Sequence, residues 1–229
     1  MKVIILGSGS YSGTPKPLCT CENCSRARIN PALRRTRFSL YIEGGILVDP
    51  PSPDLHYHLE RLNRKVEKVF ITHAHFDHIA GFPELQVFKR IDVYSHRQAI
   101  DMAKHLSAIF LGGAAPENRD WGGYHELEFG KWYEIDGMKV HHFRTTHRSI
   151  ENAGGFLFEI KGKRIAVTGG DTGPEILKDK KTLKLLEGAD LLIAEMTHRE
   201  SIPPGTHLGV EDAIKLAEIT SASYAVFAT

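Results

Sequence analysis

Apolar and polar positions alternate along this chain in short runs that predict strands, interrupted by a few amphipathic stretches with helical spacing. The N-terminal half reads as strands "KVIIL", "FSLYIEG" and "GILVD", then a helix near "PDLHYHLERLN". "KVEKVFI" follows as a strand carried by Val66, Val69, Phe70 and Ile71. After a short helix or turn in "IAGFPELQVFKR" come strand "IDVYS" and helix "RQAIDMAKHLSAI". Leu111 to Gly123 is glycine-rich and weakly patterned, and reads as a loop or the rim of a site. The second half reads as strands "WYEI", "KVHHFRTT", "GFLFEI" and "RIAVTG", with "EIKGKR" a hairpin around Gly162. Helix "PEILKDKKTLKLLEG", strand "DLLIAEM", helix "GVEDAIKLAEIT" and strand "YAVFA" complete it. Strands followed by helices in each half predict an α/β or α+β domain with helices outside the sheets. No repeat, low-complexity tract or linker breaks the chain, so 1–229 is expected to be one domain.

Bulk chemistry narrows the classes. With 29 Lys and Arg against 28 Asp and Glu, the net charge is +1. That balance exerts no global pull toward nucleic acid or a membrane surface. No apolar run approaches the ~20 residues of a membrane helix, and "MKVIILG" is too short for a secretory signal. Three cysteines, all within "CTCENC" (Cys19, Cys21, Cys24), make a poor disulfide framework. Three clustered thiolates suit zinc, which wants a fourth ligand; the alternative is a redox pair at Cys21 and Cys24. Either reading places the protein in a reducing compartment, the cytoplasm.

The densest chemistry is "THAHFDH", residues 72–78, on the loop that leaves a strand. If extended conformation continues into it, His73, His75 and Asp77 alternate onto one side, and the chain must bend to aim His78 at the same point. Four ligating groups in six positions exceed what one tetrahedral ion takes with room for substrate, but could feed two neighbouring ions. Further polar residues stand at strand ends: His147 after "KVHHFRTT", Asp171 after "RIAVTGG", and His207 in "PPGTHLG" ahead of a helix. His141 and His142 are adjacent strand residues. His56, His58, His96, His105 and His125 have no partner pattern and are expected in structural or solvated roles.

In this order, "THAHFDH", His147, the "GGDT" of Asp171 and the late His207 resemble the metallo-β-lactamase superfamily of binuclear metallohydrolases. The resemblance implies an αββα sandwich of two mixed sheets, helices on the outer faces, with the metal site along one edge. "LGSGSYSGTP" and "CTCENC" are most similar to the phosphodiesterase branch that includes the phosphoribosyl cyclic phosphate phosphodiesterase of carbon–phosphorus lyase systems. Ribonuclease Z is more distant, lacking the cysteines and carrying an RNA-binding arm for which no insert is visible here. The resemblance assigns His73, His75 and His147 to one metal, Asp77 and His78 to a second, and Asp171 to both. It makes His207 the proton donor to the leaving group, with Glu195 orienting it; Asp77 would assist proton movement. It also implies a structural zinc at Cys19, Cys21 and Cys24. Imidazole and carboxylate ligands suit Zn²⁺ or Mn²⁺.

The implied reaction is hydrolysis of a small cyclic ribose phosphate or nucleotide-like diester. The alternatives are tRNA 3′-processing, thioester or lactam hydrolysis, and a metal-binding protein without hydrolytic activity. The expected partner is that small phosphodiester, with no membrane, little case for nucleic acid, and a homodimer as the assembly this reading allows. A redox diiron relative is disfavoured because position 75 is His where that branch carries Glu. In the relatives one further ligand for the second metal and one for the zinc come from a segment after a strand like "YAVFAT". The natural protein is therefore expected to continue past Thr229 with a histidine-bearing segment.

Overall fold

β-Branched and aromatic runs in the N-terminal part pair into one six-stranded sheet, and those after residue 126 into another. The computed structural model describes residues 1–53, 55–88, 90–110, 112, 122–147, 150–169, 171–201 and 205–228. The chain divides into two compact units, Met1–Ser95 with Ala99–His125, and His96–Gln98 with Glu126–Ala228.

In the first unit β1 (Val3–Gly7), β2 (Ser39–Ile42) and β3 (Ile46–Val48) run antiparallel in turn. Gly44 and Gly45, at φ +112° and +82°, make the β2–β3 turn. β4 (Lys68–Phe70) and β5 (Asp92–Ser95) then add in parallel, and β6 (Tyr124–Glu126) closes the order β1-β2-β3-β4-β5-β6. Parallel pairing of β3 with β4 needs a crossover, which α2 (Leu55–Leu62) supplies. Every residue of β2 and β3 is buried, so they read as nearly unbroken apolar runs. Leu47, Val69, Ile71 and Val93 form the core with Leu55 and Leu59 of α2 and with Ala99 and Ala103 of α4 (Arg97–Phe110).

The second unit begins as a meander. β7 (Lys131–Ile135), β8 (Met138–Arg144), β9 (Gly154–Ile160) and β10 (Lys163–Val167) pair antiparallel. Asp136–Gly137 and Lys161–Gly162 form its tight turns with positive φ at both positions, the geometry that matches strand twist. β11 (Leu191–Glu195) and β12 (Tyr224–Ala228) add in parallel through α5 (Lys180–Leu186) and α6 (Val210–Ile219). Leu157, Ala166 and Leu192 pack with Leu186, Ala213 and Leu216 as this unit's core.

Several sequence-based expectations need correction. The segment 174–188 is not one helix: a 3₁₀ turn, Pro174–Lys178, precedes α5, and Asp179 caps α5 through Lys181 N and Thr182 N at 3.0 and 3.2 Å. "CTCENC" leads into an unforeseen helix, α1 (Glu22–Ile29), and β6 is too short to show a period. Of the Leu111–Gly123 loop, residues 111 and 113–121 lie outside the described residues, as does Thr229. Among the described residues no helix is long and apolar enough to cross a membrane.

Candidate metal centre

Parallel pairing places the C-terminal ends of neighbouring strands side by side, where α/β sheets build their sites. Val48 of β3 lies opposite Phe70 of β4, so Asp49 and the 72–78 loop emerge together. β4 stops at Phe70, and the loop turns into a one-turn helix, α3 (Phe76–Ile79), with His75 as its N-cap. The expected alternation of His73, His75 and Asp77 along an extended strand is therefore wrong for this loop, which gathers its imidazoles by turning. His73 Nε2 and His75 Nδ1 approach to 3.1 Å, and the His73 and His78 ring centroids lie 4.3 Å apart. Asp77 Oδ2 is 3.6 Å from His78 Nε2.

Asp49, which the sequence reading passed over, organises this group. It is fully buried at φ +55° and accepts from Thr72 N at 2.8 Å and Thr72 Oγ1 at 2.7 Å. His78 Nδ1–H donates to the same carboxylate at 2.8 Å. Since the Thr72 hydroxyl donates to Asp49, it accepts from His73 Nδ1 at 3.0 Å. Both imidazoles are thereby held with Nδ1 protonated and Nε2 as the lone-pair nitrogen, the tautomer a metal ligand needs. Only an aspartate closing the apolar run "GILVD" could have signalled this in the sequence.

In the second unit His147 follows β8, and its Nε2 lies 2.6 Å from Asp171 Oδ2. Gly173 N donates to Thr146 O at 2.9 Å and Thr145 Oγ1 to Asp171 O at 3.1 Å, tying the two loops together. β10 and β11 are also parallel neighbours, so Asp171 and Glu195 leave the sheet on one side. His207 Nδ1 faces two carboxylate oxygens, Glu195 Oε1 at 3.0 Å and Asp171 Oδ1 at 3.2 Å. Leu208 N donates to Glu195 Oε2 at 2.6 Å and Thr168 Oγ1 accepts from Glu195 N at 3.0 Å. Burial pushes the Glu195 carboxyl above its usual range, against the pull of His207, Thr197 and Leu208. Gly170 and residues 202–204, within the motifs around Asp171 and His207, lie outside the described residues.

His198 lies edge-on to His207, ring centroids 5.2 Å apart, and His56, His58, His96, His105, His125 and His142 lie apart from these groups. His142 stacks on Phe156 at 4.6 Å, donates from Nδ1 to Leu127 O at 3.1 Å, and is driven by burial to a pKa of about 3. His58 pairs with Thr36 Oγ1 at 2.8 Å and His125 with Asp92 Oδ1 at 2.8 Å. His96 stacks on Phe129, His56 lies edge-on to Tyr57, and His105 is exposed. Cys19, Cys21 and Cys24 are free thiols whose sulfurs lie within 4.8 Å of one another, with Cys21 at the N-cap of α1. The backbone N–H of Cys21 and bonds from the neighbouring thiols hold Cys19 below its ordinary pKa. The donor set suits a soft divalent ion.

Histidines and carboxylates gathered at strand ends, with Nδ1 of His73 and His78 engaged, are groups that suit divalent ions, and the sequence comparison agrees. Residues 45–228 match the family described as Beta-lactamase superfamily domain. The chain belongs to this beta-lactamase superfamily. Superfamily relatives include a metal-dependent hydrolase, and two solved structures share the fold along the chain. Zn²⁺-bound PqqB from Methylobacterium extorquens is 20% identical with a TM-score of 0.79, covering 100% of this chain and 88% of that one. A diphosphatase from the PhnP family is 22% identical with a TM-score of 0.75, covering 99% and 84%. An octanoyltransferase of Porphyromonas gingivalis is 31% identical over 123 residues, 51% of this chain. The chain spans 25% of that curated relative's length. The two mixed sheets and their helices are thus the metallo-β-lactamase fold that the ordered motifs implied.

Proposed function

We propose that this protein is a binuclear metal-dependent phosphodiesterase acting on a small cyclic ribose phosphate or nucleotide-like diester in the cytoplasm. The observation that carries the reading is the hydrogen-bonded presetting of His73 and His78 by Asp49 and Thr72, which leaves each Nε2 lone pair for a metal. His73, His75 and His147 would hold one Zn²⁺ or Mn²⁺, Asp77 and His78 the other, and Asp171 both. When bound, the two ions supply Lewis acidity that activates water and neutralises phosphoryl charge.

This chain's own part is orientation and proton transfer. Glu195, held by Leu208 N, fixes the His207 ring through Nδ1, so Nε2 is the nitrogen that presents a proton to the leaving alkoxide. A carboxylate behind the imidazole also stabilises its protonated form before transfer. In this reading Cys19, Cys21 and Cys24 hold a structural zinc. The test is turnover of bis(p-nitrophenyl) phosphate by the metal-loaded protein, followed by a screen of cyclic and linear phosphodiesters. Metal-stimulated hydrolysis is expected. Two bound ions with no turnover of any phosphodiester would overturn the reading. Hydrolysis of acyl-glutathione or nitrocefin, or cleavage of precursor tRNA, would redirect it within the superfamily.

A further inference from the structure

A cavity of about 530 Å³ opens in the second unit beside the β7–β8 hairpin and α5, and none of the proposed metal ligands lines it. Its wall combines flat rings, cations and one buried acceptor. Trp132 and His141 are cross-strand partners on β7 and β8, with ring centroids 5.0 Å apart at 73°. The Arg144 guanidinium lies 4.8 Å over the Phe129 ring. Lys181 and Lys184 reach it from α5. Asp179, which caps α5, is the one acid on this wall against Arg144, Lys181 and Lys184, so the cations outnumber it.

His141 supplies the decisive observation. Its side chain is buried, only 5% exposed, and the ring donates one N–H to the Gly130 carbonyl. Its Nδ1 has no hydrogen-bond partner among the described residues. An imidazole that donates through one nitrogen carries a lone pair on the other, and burial keeps the ring neutral by lowering its pKa. Buried polar atoms in native proteins are nearly always satisfied, so this acceptor calls for an N–H or O–H donor. A hydrocarbon ligand would leave both the lone pair and the lysines unmet, and inorganic phosphate would not use the rings. A heteroaromatic ring with a hydrogen-bond donor and an attached anion meets all three demands, and the volume falls within the ~300–1,000 Å³ of small-molecule sites.

We propose that this cavity is a second ligand site, separate from the metal ligands, that takes a mononucleotide: base against Trp132 with its donor on His141 Nδ1, phosphate on Lys181 and Lys184. The site is independent of whether the protein hydrolyses phosphodiesters. Isothermal titration calorimetry of the full chain with adenosine 5′-monophosphate, adenosine and inorganic phosphate tests it. The nucleotide is expected to bind, at least tenfold more tightly than either fragment. Lys184→Glu, at an exposed helix position, should weaken that binding at least tenfold with an unchanged circular dichroism spectrum. His141→Phe should do the same by removing the acceptor. Absence of binding at millimolar nucleotide, equal binding of adenosine or phosphate, or unchanged affinity in Lys184→Glu would each overturn the proposal.

Discussion

Asp49 shows how one buried carboxylate can set two imidazoles at once, through the Thr72 hydroxyl to His73 and directly to His78. Asp49→Asn is the informative change, because asparagine tolerates the same positive φ while losing the full charge. It should weaken metal binding or activity by roughly 10–100-fold, the usual cost of losing a residue that orients a ligand. Metal titration at fixed pH measures it, with circular dichroism to show the fold retained. In the proposed reaction His207 would serve the leaving-group end. His207→Ala should leave metal content intact and lower turnover by roughly 10²–10⁴-fold on alkyl esters. The loss should be smaller on p-nitrophenyl esters, whose leaving group needs less protonation. Equal losses on the two would remove His207 from the acid role.

At the scale of elements, β8 carries an acid sensitivity. Burial holds His142 at a pKa of about 3, below its ordinary 6.5. Between those values the unfolded chain binds a proton that the folded chain does not, so stability falls as pH drops from 6.5 toward 3. The loss by pH 3 is on the order of 4 kcal/mol for this group. His142→Phe keeps the stack on Phe156 and removes the titration, so urea unfolding from pH 7 to 5 should show a shallower fall than in the parent protein. The Leu127 carbonyl left without its donor will lower the variant's stability at pH 7 by about 1 kcal/mol. α5 depends on its cap in the same local way. Asp179→Ala removes acceptors for Lys181 N and Thr182 N and should cost about 1 kcal/mol. In a chain of this length that is roughly 2–4 °C in melting temperature, read by thermal denaturation.

For the whole molecule, a metal that binds only the folded chain stabilises it by mass action, about 4 kcal/mol at a thousandfold excess over Kd. Dialysis against a chelator should therefore lower the melting temperature by roughly 10 °C, and Zn²⁺ or Mn²⁺ should restore it. Mass spectrometry for bound metal gives the stoichiometry. A melting temperature indifferent to chelator and metal would count against a resident metal centre. The experiment reads binding without activity, so it stands apart from the identity of the substrate.

The H-x-H-x-D-H spacing, the clustered thiols and the succession of strands and helices were legible in the residues alone. Each is a local pattern, set by composition over a few positions. The helical turn at Phe76–Ile79 was not, because its imidazoles converge through contacts that strand periodicity does not encode. Asp49 and His78 stand 29 positions apart and meet only because β3 and β4 pair in parallel with their C-terminal ends level. Glu195 reaches His207 differently, within the connection that leaves β11, where His198 N donates to Leu208 O at 3.1 Å and folds the loop back. His141 and His142 were indistinguishable as neighbours in a strand. The pleat put His142 into the aromatic core and left His141 lining a cavity, a difference that belongs to the sheet's two faces.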